Sequence, residues 1–109
     1  MNEAILELIE KKEHIETAAR ALKAISHPLR LQILCMLGPG EACVQEIVEA
    51  VGTSQSNVSQ HLAILRDKGV LVARKEANRV YYQVGDRRTL QLIVMMREVF
   101  CGEPAVKAR

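Results

Sequence analysis

A face of short, uncharged polar side chains lies in the middle of the chain, within a stretch that predicts a helix. At 100° per residue, Val58, Leu62 and Leu65 fall within one narrow arc, which is typical of a buried helix side. The opposite side carries hydroxyl, amide and methyl groups, from Ser56, Ser59, Gln60 and Ala63. Such groups are suited to reading base edges in the major groove of DNA, whereas an ordinary solvated face usually carries Lys and Glu. The pattern predicts a recognition helix.

Turn and cap residues set the ends of this helix. Gly52 can adopt a positive φ at no steric cost, Thr53 and Ser54 are both competent N-caps, and Gly69 suits the position after the last turn. A preceding apolar helix, predicted over 41–51, completes a helix-turn-helix. The side chains that we expect to contact DNA from this unit are Ser54, Gln55, Ser56, Ser59, Gln60 and His61.

Two short segments rich in β-branched and aromatic residues follow. Val70–Glu76 and Arg79–Val84 flank Ala77-Asn78, where Asn78 tolerates the left-handed region, so the pattern predicts a hairpin. A hairpin behind a helix-turn-helix is a wing, and its cations are placed to contact the DNA backbone or enter the minor groove. Those cations are Arg74, Lys75 and Arg79.

Three cysteines, Cys35, Cys43 and Cys101, supply the remaining reactive groups. A thiol enzyme is not predicted, because there is no Cys-x-x-Cys and no carboxylate–histidine pair placed to activate a nucleophile. Free cysteine is among the most buried residue types, and Cys35 lies among Leu and Met. Spacing alone therefore favours a structural role for this thiol.

The elements that must position these groups are mainly helical, with an aliphatic core, because apolar residues make up 49% of the 109 residues and aromatics only 3%. We expect a long amphipathic helix over 3–25 and a short buried one from Pro28 to Gly38. Asp86 is expected to cap a last helix that runs through Cys101. The predicted order is α-α-α-α-β-β-α in one domain, 1–101, followed by a disordered tail, 102–109.

Near the start of the second helix, Ser26 or His27 can serve as the cap, and Arg30 could reach a phosphate or an internal carboxylate. Net charge is +2, but residues 1–50 hold five Lys/Arg against eight Asp/Glu, and residues 51–109 hold ten against five. This asymmetry favours the second half as the part that faces a polyanion. No apolar stretch approaches a membrane span and no signal peptide begins the chain, so we expect a cytoplasmic protein without a membrane partner.

Three motifs in this order resemble the ArsR/SmtB family of bacterial winged-helix repressors. They are Ser26-His27-Pro28-Leu29-Arg30-Leu31, Ser54 through Leu62, and Val80-Tyr81-Tyr82. The resemblance covers roughly residues 16–101. It implies a homodimer joined by the first and last helices, and a repressor that an inducer releases from double-stranded operator DNA.

The family's inducer sites match this chain unevenly. Where the family has a thiolate site beside its third helix, this chain keeps Cys43 but has Gln45 in place of the second cysteine, and the last helix lacks the histidine of the family's zinc site. Neither a metal site nor a cofactor is therefore expected. Cysteines at positions 35 and 101 resemble the persulfide- and redox-responsive branch, in which two thiols are bridged within one subunit.

That resemblance implies an inducer that is a polysulfide, persulfide or oxidant, with Cys43 as a bystander. Two alternatives stay open. An arsenite-type ligand could be bound by Cys35, Cys43 and Cys101, since soft thiolates suit it. A winged helix could also serve protein contacts alone, although the uncharged polar face and the wing cations argue against this.

Overall fold

A computed structural model describes residues 2–102, except the side chain of Leu8. This part of the chain forms six helices and three short strands. In chain order they are α1 (Glu3–Glu10), α2 (Lys12–Ile25), α3 (Pro28–Leu37), β1 (Glu41–Cys43), α4 (Val44–Val51), α5 (Gln55–Asp67), β2 (Leu71–Glu76), β3 (Arg79–Val84) and α6 (Arg88–Cys101). The mainly helical winged helix-turn-helix that the sequence predicts is confirmed.

The core lies between α3, α4, α5 and the sheet. Its fully buried side chains are aliphatic, as the composition predicts: Ile33, Leu34, Ile47, Val58, Leu62, Leu65 and Leu71. Burial of such side chains stabilises the fold by about 1.5–3 kcal/mol each before entropy is counted. The predicted buried arc of the recognition helix is confirmed, since Val58, Leu62 and Leu65 are all 0% exposed.

The segment 41–43 is a strand, so the prediction of one helix over 41–51 is wrong at its start. Glu41–Cys43 pairs antiparallel with β3, which gives a three-stranded sheet in the order β1-β3-β2. Pairing with the free edge of β3 satisfies backbone groups that β2 leaves open, and it buries Ala42 and Cys43. The helix then begins at Val44, with Glu46 Oε1 accepting the backbone N–H of Cys43 at 2.9 Å.

The predicted long helix over 3–25 is wrong in its middle, because Lys11 has extended dihedrals and separates α1 from α2. The residues between Ile9 and Ile15 are all polar. In one continuous helix the apolar stripe before this gap would lie about 100° away from the stripe after it. A break at Lys11 allows each stripe its own direction.

The last helix ends at Cys101 as predicted, but its N-cap position is Arg87 rather than Asp86. Asp86 lies one residue earlier and accepts the backbone N–H of Arg88 at 2.9 Å. Hydrogen bonds from Arg88 lower the pKa of Asp86 to about 2. Of the predicted tail 102–109, only Gly102 lies within the described residues. No helix in the described part of the chain is long and apolar enough to cross a membrane.

Candidate nucleic-acid interface

A tight turn joins α4 to α5 and sets the angle of the second helix. Gly52 ends α4 in the left-handed region with φ +73°, where a side chain would be strained. Ser54 is the N-cap of α5, and its Oγ accepts the backbone N–H of Asn57 at 3.1 Å. Of the two caps that the sequence allowed, Ser54 is used, and its hydroxyl oxygen serves the helix as well as any contact with DNA.

The end of α5 is closed by a two-bond motif that also directs the chain into the wing. Gly69 has φ +77°. Its N–H donates to the carbonyl of Arg66 at 3.0 Å, and the N–H of Val70 donates to that of Leu65 at 2.9 Å. This pair of bonds is the Schellman arrangement, in which glycine avoids the strain of the left-handed region.

The outward side of α5 is exposed and carries no charge over about two turns. We name Ser56, Ser59, Gln60 and Ala63 the reading face; all four are exposed. The three polar members make no side-chain hydrogen bond within the described residues. Donors and acceptors without internal partners are available to base edges, which is what sequence readout in a major groove needs.

His61, predicted as a DNA contact, joins three elements inside the protomer. The Nε–H of Arg30 donates to its Nδ1 at 3.1 Å, and an N–H of the same guanidinium donates to the carbonyl of Ala24 at 2.9 Å. The His61 ring lies 4.4 Å from that of His27, whose Nδ1 accepts the backbone N–H of Leu29 at 3.0 Å. Its Nδ1 is thus occupied, and Arg30 reaches a carbonyl and an imidazole rather than a carboxylate.

The environment of His61 disfavours the charged ring. Its pKa lies below the usual range, first because burial disfavours the charged ring, and then because His27 and Arg30 add positive charge nearby. A neutral ring is required for Nδ1 to accept a hydrogen bond from Arg30.

The wing is the predicted β2–β3 hairpin, with Glu76 opposite Arg79 at its tip. The residue in the left-handed region is Ala77, with φ +55°, rather than Asn78 as the sequence suggested. Lys75 and Arg79 are exposed beside this turn and make no side-chain hydrogen bond or ion pair within the described residues. They are available to phosphates.

Arg74, the third predicted wing cation, is held within the sheet. Its Nε–H donates to Glu41 Oε2 at 3.0 Å, another N–H donates to Glu76 Oε1 at 2.6 Å, and the guanidinium lies 4.6 Å from the centre of the Tyr81 ring. The hydrogen bond from Arg74 lowers the pKa of Glu41, and the two carboxylates raise the pKa of Arg74. Sequence reasoning missed Glu41 because it placed this residue in a helix.

A concavity of about 250 Å³ lies where the wing tip approaches the helix-turn-helix. It is lined by Cys43, Val44, Gln45, Gln55, Asn78, Arg79 and Val80. Gln55 at the start of α5 and Arg79 on the wing, both predicted DNA contacts, therefore share one surface. The structure thus places the beginning of the recognition helix beside the wing.

This arrangement agrees with known proteins. The profile described as "Bacterial regulatory protein, arsR family" matches residues 27–72. The regulator YgaV of Escherichia coli strain K12 is 39% identical over 97 residues, which are 87% of this chain and 97% of YgaV. The chain belongs to the ArsR family of bacterial regulatory proteins.

Solved structures agree with this assignment. The crystal structure of the repressor BigR from Xylella fastidiosa superposes with a TM-score of 0.77 at 29% identity, covering 94% of this chain and 100% of that one. A homodimeric winged helix-turn-helix domain from Mycobacterium bovis superposes with a TM-score of 0.71 at 29% identity, covering 91% and 86%. This ArsR-family chain is a DNA-binding transcriptional repressor with a BigR-like fold, and it is not an enzyme.

The three thiols of this ArsR-family chain lie in different surroundings. Cys35 on α3 and Cys101 at the end of α6 are exposed, whereas Cys43 is buried at the junction of β1 and α4. Within residues 2–102, no three His, Cys, Asp or Glu side chains are grouped in a way that could hold a metal ion. The three thiols therefore do not form one soft-metal site within the described protomer.

Proposed function

We propose that this ArsR-family repressor binds operator DNA as a two-fold homodimer and is released when Cys35 and Cys101 are bridged by a reactive sulfur species or an oxidant. The observation that carries the DNA-binding mode is the reading face of α5, which is exposed and uncharged and whose side chains make no hydrogen bond to any described residue. Lys75 and Arg79 on the wing supply charge for phosphates beside it. Together they combine base readout with backbone positioning.

Exposed apolar side chains on the terminal helices support the homodimer. On α1 and α2 they are Ile5, Leu6, Ile9, Ile15 and Leu22, and on α6 they are Leu92, Val94, Met95, Met96, Val99 and Phe100. So many large apolar groups on the first and last helices are unusual for a monomer and typical of an interface. The resemblance to a family that dimerises through these helices, and the homodimeric neighbour from Mycobacterium bovis, point the same way.

A two-fold dimer presents two copies of α5 to a pseudo-palindromic site. The half-sites of such a site are centred about 34 Å apart, one turn of DNA. A shift of a few ångströms between the two helices would weaken contacts on both half-sites.

The accessibility of the thiols supports the proposed inducer. Cys35 and Cys101 are exposed on helices that pack against each other, while Cys43 is buried. One thiolate attacks the middle sulfur of a polysulfide of three sulfurs, HS–S–SH; one S–S bond breaks, hydrosulfide leaves, and the protein carries Cys–S–S–SH. The second thiolate attacks the sulfur that is bonded to the first cysteine's Sγ, the bond to the terminal SH breaks, and a second hydrosulfide leaves. Two thiols are thereby oxidised to a trisulfide bridge, and the polysulfide is reduced.

Such a bridge would couple inducer binding to DNA binding, because it joins α6, a helix of the proposed dimer interface, to α3 in the core beside α5. α3 packs against both α4 and α5, so tension on Cys35 is transmitted to the recognition helix. A coupling free energy of about 1–3 kcal/mol, usual for allosteric proteins, lowers DNA affinity about 5–150-fold.

Intact-mass spectrometry paired with DNA binding tests the switch. Polysulfide should add bridging sulfur to the wild-type protein and release a pseudo-palindromic operator fragment, and dithiothreitol should reverse both changes. Cys35→Ser and Cys101→Ser should each bind DNA but ignore polysulfide, while Cys43→Ser, the matched control, should respond like wild type. Release of the Cys35→Ser/Cys101→Ser protein as readily as wild type would place the switch elsewhere.

A further inference from the structure

A basic concavity of about 360 Å³ lies between α2, α3 and α5, away from the wing. Its lining includes the side chains of Arg20, Lys23, Arg30 and Lys68, together with Ala24 and Ile64. We name these four cations the basic cluster. Among the described residues, no acidic side chain lines the concavity.

The charge of the basic cluster is not neutralised by any ion pair among residues 2–102. Arg30 donates to the Ala24 carbonyl and to the neutral ring of His61, and Arg20 donates to Thr17 Oγ1 at 3.4 Å. Lys23 and Lys68 have no ion pair among the described residues. Arg74 of the wing differs, because the carboxylates of Glu41 and Glu76 compensate its charge.

The position of the cluster relative to the reading face is set by helix geometry. At 100° per residue, Ile64 and Lys68 lie about 110° around α5 from the centre of the reading face. Gln55 and Arg66, which line concavities shared with the wing, lie about 80° away in the opposite direction. Positive charge therefore flanks the reading face on both sides.

We propose that the basic cluster binds the DNA phosphate backbone on the side of the major groove opposite the wing. A helix in the major groove lies between two phosphate backbones, and the wing reaches one of them. Lys23 and Lys68 are the exposed, unpaired members and make the phosphate contacts. Arg30, already held by Ala24 and His61, orients the site. This inference rests on the proposed insertion of α5 into the major groove.

The salt dependence of DNA binding tests the proposal. Each phosphate contact contributes about 0.9 to the slope of log K against log salt, so Lys23→Gln/Lys68→Gln in a homodimer should reduce the slope by about 3.6. Affinity should fall equally for cognate and random DNA, which leaves their ratio unchanged. Lys23→Arg/Lys68→Arg keeps the charges and should retain the wild-type slope.

Two controls separate this effect from general charge and from folding. Arg87→Gln removes an exposed cation outside the cluster and should leave the slope within experimental error. Thermal unfolding of the double Gln variant should match wild type, because neither lysine has an ion pair or a side-chain hydrogen bond among residues 2–102. Ethylation interference should show that the variant loses phosphate contacts on one backbone and keeps those of the wing.

The outcomes distinguish this proposal from the one on which it rests. If Gln60→Ala loses preference for the operator while the double Gln variant keeps the full slope, α5 reads DNA without help from the cluster, and the present inference is wrong. If Gln60→Ala leaves that preference intact, α5 is not the reading helix, and both proposals fail. A slope reduction no larger than that of Arg87→Gln would also overturn the cluster contact.

Discussion

The large apolar side chains of the helix-turn-helix unit are buried or half-buried, whereas many of those of the terminal helices are exposed. In α3–α5 the large aliphatic side chains are buried within one protomer, and Ile33, Leu62 and Leu65 are fully covered. On α6 the large apolar side chains of Val99 and Phe100 are 64% and 80% exposed. The first region covers its large apolar groups within one chain, whereas the second leaves them exposed, as the proposed homodimer requires. Folding of α3–α5 and dimerisation of the protein should therefore respond to different mutations.

Matched truncations in the two regions should show the largest difference. Leu62→Ala removes buried volume from the core between α3, α4 and α5, and it should lower the free energy of unfolding by about 2–5 kcal/mol at any protein concentration. Phe100→Ala removes an exposed ring, so it should instead weaken dimerisation and reduce the dependence of Tm on protein concentration. Denaturant unfolding and sedimentation at several concentrations measure the two effects. If Leu62→Ala and Phe100→Ala lower the free energy of unfolding equally at low protein concentration, the two regions do not differ in the way proposed.

Substitutions at exposed residues of α5 should affect DNA binding rather than dimerisation. Gln60→Ala should weaken binding to the operator by about 1–3 kcal/mol and leave nonspecific binding and sedimentation unchanged, because an amide that contacts a base edge is lost. Fluorescence anisotropy with operator and random duplexes measures the ratio. Equal losses on both duplexes would show that this face does not read sequence.

Within the wing, Arg79 and Arg74 should behave differently although both were predicted contacts. Arg79→Ala should reduce the salt slope by about 1.8 in a homodimer, since each protomer loses one phosphate contact. Arg74→Ala should change the slope less, because Glu41 and Glu76 already bind its guanidinium. A larger slope change for Arg74 would mean that its internal pairs open when DNA binds.

The junction of the two regions should give a smaller, pH-dependent effect. Arg30 connects Ala24 on α2 to His61 on α5, and the pKa of His61 is lowered in the folded protein. The unfolded chain therefore binds more protons, so this contribution to stability is fully present above about pH 6.5 and is lost as pH falls through the lower folded pKa. Unfolding curves from pH 8 to 5 should show this loss, and His61→Gln should reduce it. If the pH dependence of the free energy of unfolding is unchanged in His61→Gln, groups other than His61 cause it.

Local features of the sequence were sufficient to predict α5 and the hairpin of the wing. The apolar spacing of α5, the Ser54 cap, the glycines at positions 52 and 69, and the two-residue hairpin turn are contained within short segments. Their periodicity and capping preferences act over a few residues, so they can be read along the chain. The exposure of the reading face follows from the burial of its opposite side.

Only the tertiary structure decided which distant groups meet. The strand at 41–43 exists because β3 offers an edge to it, and the same pairing brings Glu41 to Arg74, 33 residues away. Likewise, Arg30 and His61 meet across 31 residues, and the basic cluster draws cations from three helices. The net charge of each half of the sequence does not predict this cluster, because three of its four members lie in residues 1–50, the half with net negative charge. Such contacts depend on how helices pack against each other, and no periodicity within one segment encodes them.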